Sequence, residues 1–182
     1  MLTREEAFKI LKARLKKENL RRHCLATEAI MKRLAEEFGQ DREIWGLTGL
    51  LHDIDYEECT PETHGEKGAE ILRAYDLPEE IISAVRRHNY MKYPNRDGLM
   101  EISLVAADSI TGLIVACALV KNGKLSEVTT KTVKKKFKEK GFAGGVNREM
   151  IKEIEKTGIS LDRFIEISLE AMKGIADQLG LD

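Results

Sequence analysis

Proline is scarce in this sequence, with three residues among 182, so long stretches run without the residue that most strongly breaks a helix. Through those stretches apolar residues recur in steps of three and four, the helical period, and the expectation is an all-α protein. Cysteine is equally scarce. Cys24, Cys59 and Cys117 form no CxxC pair and cannot all be bridged within the chain. That argues against a disulfide framework and for a reducing cytoplasm. Neither sign of charge dominates: the net charge is −1, which provides no global field for nucleic acid or an anionic membrane. The opening residues, Met1 to Glu6, are charged and lack the apolar core of a signal peptide. The longest apolar region, around Ile102 to Val120, is interrupted by Asp108, Ser109, Thr111 and Gly112 and reads as a buried helix, not a membrane span. What is present is ordinary, 42% apolar and 34% charged residues, in a chain long enough for one sizeable core. A single cytoplasmic domain over residues 1–182 is expected.

Taken in order, Thr3 with Glu6 forms a capping-box start for a helix toward Lys17. A second helix runs from near Asn19 to Phe38 and stops at Gly39; its inner stripe is Leu20, His23, Thr27, Ile30, Leu34. Asp41 caps a third helix that ends at His52-Asp53. After a loop from Asp55 to Thr63, Thr63 caps a fourth helix with the stripe His64, Gly68, Ile71, Tyr75. Pro78 suits a first helical position, and the fifth helix carries Ile81, Val85 and His88 on one face. Tyr90 to Gly98 is a loop. A sixth helix aligns Leu104, Asp108, Thr111 and Val115. Beyond Lys121 come a turn at Asn122-Gly123, a lysine-rich helix over Thr129 to Lys140, a flexible glycine loop (residues 141–145), a helix capped by Asn147, and a final amphipathic helix from Ser160 to Leu179.

The chemistry gathers on the histidines. The chain has four, His23, His52, His64 and His88. Three fall on inward stripes and the fourth at a helix end, next to Asp53. Asp108 lies on the inner stripe of another helix. A single histidine on an apolar face is ordinarily a core residue bonded to a carbonyl. A carboxylate on an apolar face is costly without a cation or a hydrogen-bond network. One metal centre accounts for all of these residues together, and imidazole with carboxylate suits a divalent transition metal such as Fe, Mn, Co, Ni or Zn.

The order His23, His52-Asp53, His64, His88, Asp108 resembles that of the HD-domain superfamily of metal-dependent phosphohydrolases. The resemblance covers about residues 20 to 112, and His52-Asp53-Ile54 looks like the start of the HDIG variant, with Asp55 where that variant has glycine. It implies an HD-domain helical core with additional C-terminal helices (about 122–182). It also implies one metal held by His23, His52, Asp53 and Asp108, and a second held by His64 and His88 with Asp53 bridging. Two such ions can turn water into hydroxide at neutral pH and clamp a phosphoryl oxygen. Catalysis of phosphoryl transfer then needs in-line positioning and positive charge. Arg86 and Arg87, just before His88, are candidates to supply that charge and, with Asp53, make up the candidate catalytic residues. Lys67, Arg22 and Lys92 flank the ligands as well. Asp55, Glu58 and Glu66 are weaker candidates for groups that support the ligands or for the acid that protonates the leaving group.

The expected activity is therefore hydrolysis of a phosphate ester or anhydride of a nucleotide or other small phosphorylated metabolite. One alternative is a di-iron oxygenase of the same fold, which typically has a lysine shortly after the His-Asp pair; here Ile54, Asp55 and Tyr56 follow. Another is a non-catalytic nucleotide-binding regulatory module. The lysine run Lys131, Lys134, Lys135, Lys136, Lys138, Lys140 has few interleaved aromatics and reads as a solvated helix face instead of a nucleic-acid surface. The glycine loop after it lacks the lysine and hydroxyl of a phosphate-binding P-loop.

Overall fold

The computed structural model describes residues 2–182. Among the described residues ten α-helices follow one another: α1 (Arg4–Arg14), α2 (Glu18–Phe38), α3 (Arg42–Leu51), α4 (Glu66–Leu72), α5 (Glu79–Arg87), α6 (Leu99–Leu119), α7 (Thr130–Lys138), α8 (Arg148–Lys152), α9 (Leu161–Lys173) and α10 (Ala176–Leu179). Two short 3₁₀ helices lie at Leu125–Glu127 and Glu153–Thr157. No strand occurs among the described residues, and the fold is all-α, as the spacing of apolar residues predicts.

Local signals explain most helix boundaries. Thr3 and Glu6 form the full capping box on α1. The Asp41 side chain accepts from the amides of Glu43 and Ile44 at the start of α3. Thr129, Asn147 and Ser160 cap α7, α8 and α9. Gly39 closes α2 in the left-handed conformation, where a residue with no Cβ carries no steric cost.

Four expected boundaries move. The first helix stops at Arg14, because Leu15 turns extended and buries its side chain. Pro78 lies just outside α5 as its N-cap, not inside it. The final helix breaks at Gly174 and Ile175 and resumes as α10. Thr63 closes a turn on the Thr60 amide instead of capping a helix, so α4 begins only at Glu66 and His64 stands in the turn before it.

The two longest helices, α2 and α6, form the centre. Helix α2 packs against α3, α6 and α9, and α6 also meets α5, α7 and α8. Helix α6 is long and apolar enough to cross a membrane by length and composition, but 67% of that span is buried inside the protein. The expected inner stripe of α2 is buried at Thr27, Ile30 and Leu34. One apolar cluster runs from Ala7 on α1 to Leu181 at the chain's end, so the C-terminal helices bury their apolar faces on the same core as the histidine-bearing ones.

A close helix approach is made at Gly49 on α3. A Cβ there would lie 2.8 Å from the Thr27 carbonyl oxygen and 2.9 Å from the Glu28 backbone. Only glycine lets α3 lie this close to α2, and the approach brings the end of α3 beside His23. The glycine loop at residues 141–145 is held rather than loose. The Arg148 guanidinium donates to the carbonyls of Phe137, Lys136, Glu139, Phe142 and Ala143, collecting acceptors left over at the end of α7. On that helix Val133 and Phe137 face the core. Lys134 and Lys136 pair with Asp162 and Glu139.

Candidate metal centre

Six side chains meet where α2, α3, α5 and α6 converge. His23 is on the second turn of α2 and Asp108 is midway along α6. His52 is the C-cap of α3 and Asp53 follows it; His88 is the C-cap of α5. His64 enters from the turn before α4. That turn depends on Gly65, whose φ of +81° is in the left-handed region and whose missing Cβ would sit 2.7 Å from the Arg86 carbonyl oxygen. The structure thus brings together all six residues expected as ligands.

Their atoms are arranged around two positions. His23 Nε2 lies 3.2 Å from His52 Nε2 and 3.0 Å from Asp108 Oδ1. His64 Nε2 lies 2.9 Å from His88 Nε2. Between the two pairs stands the Asp53 carboxylate. Its Oδ2 is 3.4 Å from His23 Nε2 and 3.5 Å from His52 Nε2, while its Oδ1 is 3.2 Å from His64 Nε2 and 3.4 Å from His88 Nε2. For bonds of about 2.1 Å to a dication, neighbouring ligand atoms fall roughly 3.0–3.4 Å apart. The observed separations match that spacing on both sides of Asp53.

Hydrogen bonds behind the rings decide which nitrogen is presented. His52 Nδ1 lies 2.7 Å from the Gly49 carbonyl oxygen, and His88 Nδ1 bonds the Val85 carbonyl. A carbonyl only accepts, so both Nδ1 atoms carry the proton. The Thr111 hydroxyl donates to the Asp108 carbonyl at 2.8 Å and therefore accepts from His23 Nδ1 at 3.0 Å. His64 Nδ1 donates to Asp55 Oδ1 at 2.9 Å. All four rings consequently turn Nε2 inward as a lone-pair donor, the outer-shell pattern of metal-binding histidines. Lone pairs facing one another at 2.9–3.2 Å repel unless a cation or proton lies among them. The residues present fit a divalent metal.

Asp55, a weaker candidate from the sequence, makes more contacts behind the centre than its position after the His-Asp pair suggests. It is fully buried. Besides orienting His64, its Oδ2 accepts from the amides of Gly65 and Gly68, both at 2.8 Å. It therefore satisfies free N–H groups at the start of α4 from a distant turn. The signal was visible as a carboxylate where the HDIG variant has glycine. Asn89 acts in parallel: its Nδ2 donates to the carbonyls of Pro61 and His64, tying the His64 turn to the end of α5.

The electrostatics follow from this crowding. Burial pushes the Asp53 carboxyl up, but His52, His64, His88 and His23 outweigh it and hold the group well below the ordinary carboxylate range. Asp108 is likewise lowered, against burial, by His23 and His52. Burial pulls His52 down, yet Asp53 and Asp108 raise it to about 9; His64, opposed by burial in the same way, is raised by Asp53 and Asp55 to about 11. Without a cation, protons take its place among the lone pairs.

A cavity of about 410 Å³ opens onto His64, His88 and Asp108. Neither Arg86 nor Arg87, the candidates to supply positive charge to the phosphoryl oxygens, lines it. The Arg87 guanidinium sits 3.2 Å from Glu101 and donates to the Asn95 carbonyl. Arg86 stacks over the Tyr93 ring at 5.7 Å. Helical rotation carries both side chains away from the face that bears Val85 and His88. Lys67 donates to the Glu58 carbonyl, Lys92 pairs with Glu66, and Arg22 pairs with Glu18. Glu58 pairs with Arg14, and Glu66 also accepts from the Tyr93 hydroxyl.

Comparison with known proteins agrees with this geometry. The family model described as HD domain matches residues 20–117, more than half of the chain, and the chain belongs to that family. An HD domain points to the metal-dependent phosphohydrolase superfamily, and the chain carries a His/Asp cluster able to hold metal. The chain is 38% identical over 89 residues to an uncharacterized protein of Methanocaldococcus jannaschii, covering 46% of this chain and 52% of that one. It is 27% identical over 173 residues to ribonuclease Y of a Sulfurovum species, covering 89% of this chain and 33% of the relative. With ribonuclease Y of Aquifex aeolicus it shares 33% identity over 101 residues, 52% of this chain and 17% of the relative. The chain spans about half or less of the length of these curated relatives. No solved structure matches it.

Proposed function

We propose that this protein is a metal-dependent hydrolase of a phosphate ester or anhydride, with a nucleotide or other small phosphorylated metabolite as substrate and two divalent transition-metal ions as cofactor. The observation that carries the proposal is the Asp53 carboxylate, with one oxygen toward His23 and His52 and the other toward His64 and His88. When bound, the ions supply an activated water and positive charge for the phosphoryl oxygens.

The protein's own residues do the positioning. Asp53 sets the distance between the two ligand groups. Thr111, Gly49, Asp55 and the Val85 carbonyl fix the histidine tautomers, so no ring must reorient before a ligand atom is offered. Helices α3 and α5 present their ligands from C-terminal ends, where the negative end of the helix dipole favours a cation.

A second reading is hydrolysis of an internucleotide phosphodiester. It is favoured by the alignment to a protein named ribonuclease Y over 89% of this chain, which extends beyond the HD region into the C-terminal helices.

The test is metal analysis of anaerobically purified protein, followed by screens of phosphorylated metabolites and of short RNA with each of Fe, Mn, Co, Ni and Zn. Phosphate release from small esters supports the first reading, and shortened RNA the second. Oxygen consumption with iron and no phosphate release overturns both in favour of an oxygenase. Nucleotide binding without turnover overturns both in favour of a regulatory module.

A further inference from the structure

Large apolar side chains left in water mark recognition surfaces when they gather in one place. Four are exposed among the described residues: Tyr56, Met91, Leu119 and Val120. Two of these, Tyr56 and Met91, line the cavity that also exposes His64, His88 and Asp108. They come from separate parts of the chain. Tyr56 belongs to the turn after the His52-Asp53 pair, and Met91 to the turn after His88. The Tyr56 ring stands edge-on to His64, with centroids 5.5 Å apart at 85°. Pro61 extends the same wall. A tyrosine and a methionine 52% and 71% exposed, set over the candidate metal ligands from two different turns, leave much of their apolar surface open to the cavity.

The charge of the lining is equally informative. None of the residues around the cavity is a lysine or arginine. Lys92 follows Met91, but its Nζ is 3.2 Å from Glu66. The positive charge available to a substrate is therefore concentrated at the histidine centre, where one phosphoryl group can reach it. A further phosphate would lie beside Asp108 and against Tyr56, Pro61 and Met91, with Thr60, Asn89 and Tyr90 as neutral polar neighbours and no lysine or arginine of the lining to meet its charge. Such walls suit a flat ring, which stacks on tyrosine and packs against the polarizable methionine sulfur.

We propose that the cavity selects a substrate with a single phosphoryl group attached close to a planar aromatic group. The ring lies against Tyr56 and Met91 while the phosphoryl group faces the histidines, and polyphosphates are disfavoured. The phosphoryl half of this statement rests on the hydrolase reading above; the stacking half can be tested apart from it.

The binding arm compares phenylphosphonate with methylphosphonate, neither of which can be hydrolysed at its P–C bond, by calorimetry on the metal-loaded protein. Phenylphosphonate should bind about tenfold more tightly, within the range expected for one stacked ring. Tyr56→Ala and Met91→Ala should each reduce that ratio toward one, and Tyr56→Phe should keep it. Metal content is measured for every variant, because Tyr56 touches His64; if Tyr56→Ala loses metal, the Met91→Ala ratio carries the test. The kinetic arm compares kcat/KM for phenyl phosphate with ethyl phosphate, and for a nucleoside monophosphate with its triphosphate, the first of each pair being favoured.

A phenyl preference that depends on Tyr56 or Met91, with no ester hydrolysed, upholds stacking and defeats the hydrolase reading. Hydrolysis with equal binding of the two phosphonates, or a preference unchanged in both alanine variants, overturns the stacking proposal. A triphosphate turned over faster than the monophosphate overturns its single-phosphoryl part.

Discussion

At Asp55 one buried carboxylate does two jobs, orienting His64 and holding the amides that open α4. An Asp55→Asn side chain keeps the volume but loses the charge, and its amide can turn an N–H toward His64 in place of an acceptor. The His64 ring is then free to choose the other tautomer. We expect a weakened metal position at His64 and His88, with turnover falling roughly 10–100-fold, the usual range for losing an outer-shell partner. Metal content by mass spectrometry, with kcat measured on the same samples, checks this; unchanged values for both would show that Asp55 does not set the ring.

The sequence pointed to all six candidate ligands because their order along the chain resembles that of the HD-domain superfamily, to which the helical phase of His23, His88 and Asp108 added support. It was less informative about Asp55, whose partners lie 9 to 13 residues away across a turn and not on one helix. The arginines show what adjacency in sequence leaves open. Adjacency to His88 made Arg86 and Arg87 attractive, but residues one and two positions away on a helix point about 100° and 200° from it, and here they find Tyr93, Glu101 and Asn95.

Among the elements, the pairing of α2 with α3 is the one on which the centre depends. The contact at Gly49 is with backbone atoms, which cannot swing aside as a flexible side chain would. Gly49→Ala should therefore push the helices apart, costing about 1–3 kcal/mol by overpacking, and should lower metal retention by moving His52 and Asp53 relative to His23. Thermal unfolding and metal content measured together check this. Full metal retention at wild-type stability would show that the approach is not required.

A second element contact ties the loop before α6 to the 3₁₀ helix at Glu153–Thr157. Arg96, buried, donates twice to Glu153, at 3.0 and 2.8 Å. Burial alone would raise the Glu153 carboxyl, but Arg96 holds it below its ordinary value of 4.5. A carboxylate with a depressed folded pKa stabilises the protein above its unfolded pKa and loses that contribution as pH falls through the folded one. The Glu153→Gln variant should thus be less stable than wild type at pH 7, and the gap should narrow below about pH 4.5. Denaturation midpoints across that range check it; a gap constant with pH would assign the effect to packing alone.

For the whole molecule, the two ligand groups are unequal. One has His23, His52 and Asp108 with Asp53 Oδ2; the other has His64 and His88 with Asp53 Oδ1. Fewer anionic ligands bind a dication more weakly, and protonated histidines release it first in acid. The double variant His64→Ala, His88→Ala should keep about one ion and lose most turnover. Metal titration of stripped wild-type protein should show two unequal events, the variant only the tighter one. Two equal events in wild type, or two ions still held by the variant, would overturn the division.

The sequence by itself determined the helical class and most helix starts, because capping, glycine stops and apolar period act within a few residues; the candidate metal-ligating set came from the order of its histidines and aspartates and the family resemblance that order carries. Tertiary structure alone decided that His64 precedes α4, that Asp55 and Thr111 choose tautomers, and that the guanidinium groups of Arg86 and Arg87 meet Tyr93, Glu101 and Asn95. Each of these depends on how closely helices distant in sequence approach, and on which side chain fills the gap between them. That is settled by packing at backbone contacts such as Gly49 and Gly65, which no local pattern encodes.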